Sequence, residues 1–159
     1  MEFVIDFEGF DLTSGFVIKE ISIANLRSHY VDTYFVKSPF KLTELSIKDR
    51  KNVKFCEKFV HRIFWQFGTV QQKRLKAILN IYLQSGCRIY VKGQLKQTVL
   101  QKLLGCDYIY TNLEDLDCPK LHELPLETKA TKCILPFHQD LLNCSHVKVL
   151  ALKKFLLSQ

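Results

Sequence analysis

The chain has no apolar run of the roughly 18 residues that a membrane-spanning helix requires. It also lacks the basic segment, apolar stretch and small-residue cleavage site of a secretory leader, and it contains no internal repeat or low-complexity tract. We therefore expect no membrane partner and an intracellular protein of the cytoplasm or the nucleus. With 159 residues, of which 47% are hydrophobic and 25% charged, the composition predicts one globular domain over residues 1–159.

Acidic residues are fewer than basic ones in this sequence. The sequence has 23 lysines and arginines against 16 aspartates and glutamates, a formal net charge of +7. Such a surplus favours polyanionic partners, of which nucleic acid is the commonest in cells. We expect single-stranded RNA or another nucleic acid to bind, with tyrosines such as Tyr90, Tyr108 and Tyr110 stacking on bases. The predicted phosphate contacts are Arg74, Lys92, Lys96 and Lys148.

Six cysteines occur in a chain without a secretion signal, so we expect reduced thiols that are buried or bound to metal. Cys118, Cys133, His138 and Cys144 are of the ligand types that Zn²⁺ prefers, and four ligands complete a tetrahedral site. His122 is an alternative ligand because it lies four residues after Cys118. The competing interpretation is a set of buried thiols with an exposed histidine. If Cys118, Cys133, His138 and Cys144 bind metal, we expect the ion to be a structural Zn²⁺.

An acidic pair lies within an apolar strand near the N-terminus. Residues 3–10 alternate with the period of a strand, which places Asp6 and Glu8 on the same side of it. Two neighbouring carboxylates on an apolar strand require compensation, commonly by a hard divalent cation held by oxygen ligands. The pair indicates either the Mg²⁺ or Mn²⁺ site of a two-metal nuclease or a solvent-facing pair on an edge strand.

The order of predicted elements is three strands, two helices, and then strand, helix, strand, helix. Strands at 3–10, 16–23 and 30–36, with turns at 9–15 and 25–28, predict an antiparallel meander. Apolar spacing predicts helices at 51–64, at 69–84 with Thr69 as N-cap, at 94–104 and at 143–157. Short strands are predicted at 87–91 and 108–110. The predicted fold is therefore an α/β domain with a mixed sheet, helix-connected later strands and helices on both faces.

This order, with an Asp-x-Glu on the first strand, resembles the RNase H-like fold of DnaQ-type (DEDD) 3′–5′ exonucleases. The resemblance implies that Asp6 and Glu8 supply the first metal-binding acids and that His146 on the last helix is the general base. The stretch 93–98, where the family has its second aspartate, contains no acid, and Lys148 lies near the position of the last one. A lysine there adds a like charge to a cation site. We therefore expect a degenerate DEDD site that disfavours ordinary two-metal chemistry.

The segment 133–152 is most similar to the Maelstrom domain, a DnaQ-type fold in which a Glu, Cys, His, Cys zinc constellation replaces the catalytic acids. The resemblance implies that His138 and Cys144 bind zinc together with Cys133 or Cys118. It also implies single-stranded RNA binding and partner proteins of small-RNA (piRNA) silencing. The oxygen ligand would be Glu8 or Glu114.

Three functions follow from these observations. The first is a zinc-stabilised, nuclease-like domain that binds single-stranded RNA in silencing or processing. The second is an active exonuclease or RNA endonuclease, in which Asp6 and Glu8 hold one Mg²⁺ or in which His146 and Lys148 act as acid and base without metal. The third is an interaction domain whose basic face meets an acidic protein. Binding of RNA with a steep salt dependence would favour the first over the third.

Overall fold

The computed structural model describes residues 1–125 and 143–159 of the chain. Within these ranges, five strands form one mixed sheet in the order β3-β2-β1-β4-β5, and four α-helices pack around it. No helix of the described ranges combines the length and the apolar character that a membrane crossing demands. The strands are β1 (Glu2–Leu12), β2 (Gly15–Asn25), β3 (Val31–Phe35), β4 (Arg88–Val91) and β5 (Ile109–Asn112), and the helices are α1 (Ile47–Phe59), α2 (Gln72–Tyr82), α3 (Gln94–Leu104) and α4 (Ser145–Leu157).

Strand β1 is the centre of the sheet. It pairs antiparallel with β2, which pairs antiparallel with β3, and it pairs parallel with β4, which pairs parallel with β5. Parallel neighbours need a crossover, and a helix supplies each of them here: α1 and α2 precede β4, and α3 joins β4 to β5. The predicted mixed α/β sheet, with an antiparallel meander followed by helix-connected strands, is confirmed at this level.

The side chains of β1 alternate between the two faces of the sheet. Phe3, Ile5 and Phe7 share one hydrophobic cluster with leucines of α2 and α3. Val4 packs on the other face with leucine and valine side chains of α4, and Phe10 packs on that same face beside Trp65 and a valine of α1. Helices therefore cover both faces, and alternation places Asp6 and Glu8 on the face that carries α4.

A β-bulge in β2 lies beside the acidic pair. The register between β1 and β2 shifts between Glu8 and Gly9, and Lys19 is the extra residue of the bulge. The strands approach closely at this point, since a Cβ atom on Gly9 would lie 2.0 Å from the carbonyl oxygen of Val17. Because pairing continues past the bulge to Leu12, the turn predicted at 9–15 is wrong over its first part.

The helix boundaries differ from the predicted ones at α1 and α2. Helix α1 begins at Ile47 because Ser46 caps it, accepting a hydrogen bond from the backbone N–H of Asp49 at 3.2 Å. It ends at Phe59, five residues before the predicted end at residue 64. Gln71 rather than Thr69 is the N-cap of α2. The predictions for α3 at 94–104 and for the end of α4 at Leu157 are confirmed.

Candidate functional site

The acidic pair of β1 is buried on the central strand of the sheet, beyond the residues that pair with β4. Asp6 is only 1% exposed, and the side chain of Glu8 is 14% exposed. This burial shows that the alternative of a solvent-facing pair is wrong, although β1 pairs at Asp6 and Glu8 with β2 and its pairing with β4 is confined to Glu2–Val4. The compensation that two buried carboxylates need comes from two lysines, one on each of the helices α3 and α4.

The first lysine, Lys96, is the third residue of α3. The helix starts after Gly93, whose φ of 106° favours glycine, and the N–H of Gly93 donates to the side chain of Asn112 at 3.0 Å. This bond ties the start of α3 to the end of β5. The ammonium nitrogen of Lys96 then lies 2.6 Å from Oδ1 of Asp6 and 5.4 Å from the ring centroid of Phe7.

The second lysine, Lys148, is the fourth residue of α4 and is 2% exposed. Its ammonium nitrogen lies 2.9 Å from Oδ2 of Asp6 and contacts Oε1 of Glu8 directly. Lys96 approaches the same glutamate oxygen to 4.0 Å. These four residues, Asp6, Glu8, Lys96 and Lys148, form what we call the charge cluster. Its two carboxylates and two ammonium groups cancel in formal charge.

The charge cluster holds Asp6 and Lys148 ionised although both are buried. Burial by itself would raise the pKa of Asp6, but the attraction of Lys148 and Lys96 outweighs it and keeps that pKa below its ordinary value. Burial would likewise lower the pKa of Lys148, but Asp6 and Glu8 outweigh it and hold that pKa above its ordinary value. Asp6 and Lys148 are therefore charged at neutral pH, which is tolerable in the interior only as a paired set.

Both lysines occupy the first turn of a helix, where the helix dipole disfavours a positive side chain by about 0.3–1 kcal/mol. The acids of β1 offset this cost. The two ammonium groups contact the carboxylate oxygens that would have to ligate a divalent cation. The cluster therefore does not fit Mg²⁺ or Mn²⁺, and no catalytic step through such a metal follows from it.

A further buried carboxylate, Glu20 on β2, serves the start of α4. It accepts a hydrogen bond from the backbone N–H of Ser145 at 2.6 Å and one from the hydroxyl of the same residue. The hydroxyl of Ser145 also lies 2.7 Å from that of Ser22. A negative side chain at a helix N-terminus is favourable, so Glu20 helps to fix the helix that carries Lys148. An acid inside the apolar stretch 16–23 was the sequence signal for this role.

His146, the predicted general base, lies against β3. Its Nδ1 is 3.0 Å from the hydroxyl oxygen of Thr33, and burial lowers the pKa of its imidazole, which keeps the ring neutral at pH 7. Residues two apart on a helix point in different directions, so His146 does not share the side of α4 from which Lys148 reaches the acids. The structure thus brings Asp6, Glu8 and Lys148 together and directs His146 to a different strand.

Of the four predicted zinc ligands, Cys133 and His138 lie outside the described residues. Cys118 and Cys144 are both buried. Burial raises the pKa of Cys118, which packs in the hydrophobic cluster with Val149, so this thiol stays protonated. In residues 1–125 and 143–159 there is no group of three or more His, Cys, Asp or Glu that could hold a metal ion. The two described thiols alone do not make a four-ligand site.

The predicted nucleic-acid contacts do not form one surface. Lys96 and Lys148 belong to the charge cluster, and Lys92 donates to the carbonyl oxygen of Cys118 at 3.0 Å. Arg74 is exposed, but it lies on α2, on the opposite side of the sheet from Asp6 and Glu8. The pairing of Lys96 with Asp6 was missed from the sequence, although a lysine in the acid-free stretch 93–98 could have indicated it.

The tyrosines predicted to stack on bases are half-buried and bonded within the protein. The hydroxyl of Tyr90 donates to Glu2 at 2.8 Å, and that of Tyr110 donates to the carbonyl oxygen of Gly105 at 2.8 Å. The rings of Tyr90, Tyr108 and Tyr110 pack against the core clusters of the sheet. These tyrosines therefore contribute to the packing of the sheet, and their rings are not fully open for stacking on bases.

No family model matches the chain, and neither a curated protein nor a solved structure matches it. The charge cluster is therefore interpreted from its own geometry. Two lysine ammonium groups contact the carboxylate oxygens of Asp6 and Glu8 and balance their charge. Such a cluster can hold β1, α3 and α4 together, and its carboxylates are already paired within the protein.

Proposed function

We propose that this protein is a nuclease-like domain without two-metal catalysis that binds single-stranded RNA. The charge cluster is the observation that carries the first half of this proposal. The strand order with an Asp-x-Glu on the central strand supports an RNase H-like fold of the DnaQ type. Lys96 and Lys148, in the first turns of α3 and α4, then replace the acids that such a nuclease would use.

The second half of the proposal is supported by charge. The chain carries a net charge of +7, and the two lysines of the cluster are balanced by its two acids, so the surplus resides elsewhere in the protein. A surplus of this kind attracts phosphates, and the affinity for a single strand then falls with salt by about 0.7 log units per neutralised phosphate. Silencing-pathway proteins as partners, and the cytoplasm or nucleus as location, stay predictions.

Binding and cleavage of one 3′-labelled single-stranded RNA test this function. We expect salt-dependent binding of the intact RNA and no shortening of it, with Mn²⁺, Mg²⁺ or EDTA present. Shortening by the wild-type protein that the isosteric variant Asp6→Asn abolishes would overturn the proposal in favour of an active nuclease. Absence of RNA binding at low salt would overturn it in favour of a protein-interaction domain.

A structural zinc ion remains part of the proposal. It is supported by the residue types of Cys118, Cys133, His138 and Cys144, of which Cys118 and Cys144 are seen as buried thiols. Protein purified without chelator should carry about one Zn²⁺ per chain, because the binding energy of a structural site is folding energy. Metal analysis that finds none would contradict this part and leave the proposal for the charge cluster untouched.

A further inference from the structure

Helix α1 presents an exposed aromatic pair to solvent. Phe55 is 56% exposed and Phe59 is 62% exposed, although phenylalanine is usually buried. The two rings lie side by side, with centroids 5.3 Å apart. A single exposed apolar side chain needs no explanation, but a contacting aromatic pair is a candidate contact surface.

The solvent side of α1 carries only positive charge. Its two acids turn inward, since Asp49 accepts from the hydroxyl of Thr13 at 2.6 Å and Glu57 accepts from the N–H of Trp65 at 2.7 Å. Its remaining charged residues are basic, and all four of its lysines are exposed. These are Lys48, Lys51, Lys54 and Lys58.

Both the lysines and the rings lie on the exposed part of the helix surface. Lys58 is three residues after Phe55 and is therefore its neighbour on that surface, and Lys54 lies one turn before Lys58, so the two lysines form a row that flanks the aromatic pair. Successive members of each row lie about 6 Å apart along the helix axis. The ammonium group of Lys58 lies 5.1 Å from the centroid of the Phe59 ring. Two ring faces with a parallel pair of cations match the bases and phosphates of an unpaired strand.

The main apolar side of α1 is already used within the protein. Val53 is fully buried and packs with Phe10, Leu45 and Trp65. An amphipathic helix that lies on a membrane puts its main apolar side into the lipid, which α1 cannot do without leaving the core. What remains exposed is a narrow aromatic strip within a basic surface, and this favours a nucleic acid over a lipid bilayer.

We propose that this exposed side of α1 is the surface on which single-stranded RNA binds, with Phe55 and Phe59 stacking on bases and Lys54 and Lys58 contacting phosphates. The inference rests on the proposed function, because it presupposes that the domain binds RNA. It locates the binding on α1, away from the charge cluster and from the predicted Arg74 on α2.

Fluorescence anisotropy with a labelled 20-nucleotide oligouridine tests the inference. The variant Phe55→Leu/Phe59→Leu keeps apolar bulk and removes the ring faces, and it should bind about 10- to 100-fold more weakly, as expected for the loss of base stacking. Lys54→Gln/Lys58→Gln should reduce the slope of log affinity against log salt by about 1.4, the equivalent of two phosphate contacts on a single strand.

The matched control is Lys73→Gln/Lys76→Gln, which removes two exposed lysines from α2 on the other side of the sheet. This variant should bind within about twofold of the wild type. If both α1 variants bind RNA as the control does, α1 is not the surface, and the proposed function stands. If the wild type binds no RNA, both proposals fail. If the wild type and Phe55→Leu/Phe59→Leu both bind phosphatidylserine vesicles and neither binds RNA, the exposed side of α1 is a membrane-binding surface instead.

Discussion

The charge cluster and the exposed side of α1 show the same side chain, lysine, in opposite surroundings. In the cluster, Lys96 and Lys148 are each within 3 Å of a carboxylate oxygen of Asp6, and the interior charge adds to zero. On α1 the acids face inward and the lysines face water, so their charge is left for a partner. Charge in the first region stabilises the fold, and in the second it is available for binding.

A third lysine shows what burial does when none of the described residues places a carboxylate within ion-pair distance. Lys19, in the bulge of β2, is fully buried, and its ammonium group donates to the carbonyl oxygen of Trp65 at 2.8 Å and to the hydroxyl of Ser38 at 3.0 Å. Burial lowers the pKa of Lys19 to about 8 and outweighs the opposing effect of Glu57. Lys148 is as deeply buried, and its carboxylate partners raise its pKa instead.

The largest expected effect comes from replacing both lysines of the cluster by acids. In Lys96→Asp/Lys148→Asp, four carboxylates would crowd a buried site, and we expect this variant to be unfolded at neutral pH without divalent cations. Mn²⁺ should refold it, since a cation at 100 times its Kd adds about 2.7 kcal/mol. Thermal denaturation with and without Mn²⁺ measures this. A variant that is equally stable in EDTA would show that the lysines do not compensate the acids.

A smaller effect is expected from removing one ammonium group. Lys148→Met leaves Asp6 with Lys96 as its one remaining cation of the cluster and leaves Glu8 without the ammonium group that contacts it, and it should lower the free energy of unfolding at pH 7 by about 3–5 kcal/mol. Urea denaturation measures the loss, and Lys102→Met, at an exposed position of α3, is the control that should stay within about 0.5 kcal/mol of the wild type.

The same variant has a defined pH dependence. In the wild type the pKa of Asp6 is lowered, so its contribution to stability is present above the ordinary pKa and is lost as pH falls through the lowered one. In Lys148→Met, burial pushes the pKa of Asp6 upward, and protonation then favours the folded state. The stability difference between the two proteins should therefore shrink as pH falls from 7 towards about 4. A constant difference would mean that Asp6 is not the group left uncompensated.

The smallest effect on stability is expected on α1. Lys54→Gln/Lys58→Gln removes two exposed charges that have no structural role in the cluster, so the free energy of unfolding should change by less than about 0.5 kcal/mol. The same urea experiment measures it. A loss comparable to that of Lys148→Met would remove the distinction between the two regions, because it would show that the α1 lysines also hold the fold together.

Much of the fold could be predicted because its signals are local. Apolar alternation in residues 3–10 and 16–23 and helical spacing in 94–104 depend only on near neighbours, and all three elements are present. The bulge at Lys19 could not be predicted, because it is a property of how two strands pair. The role of Lys96 was missed for the same reason, since its partner Asp6 is 90 residues away in the sequence.

The sequence by itself determined the order of the elements, the acidic pair on the first strand and the excess of positive charge, since period, residue type and composition are fixed before folding. Only the tertiary structure decided which lysines are neutralised and which remain open to a partner. Partnership in the interior depends on distances of a few ångströms between residues remote in sequence, such as Lys148 and Glu8. Burying an unpaired charge is costly, so these long-range pairings, and not the local preferences of the sequence, determine which residues form the site.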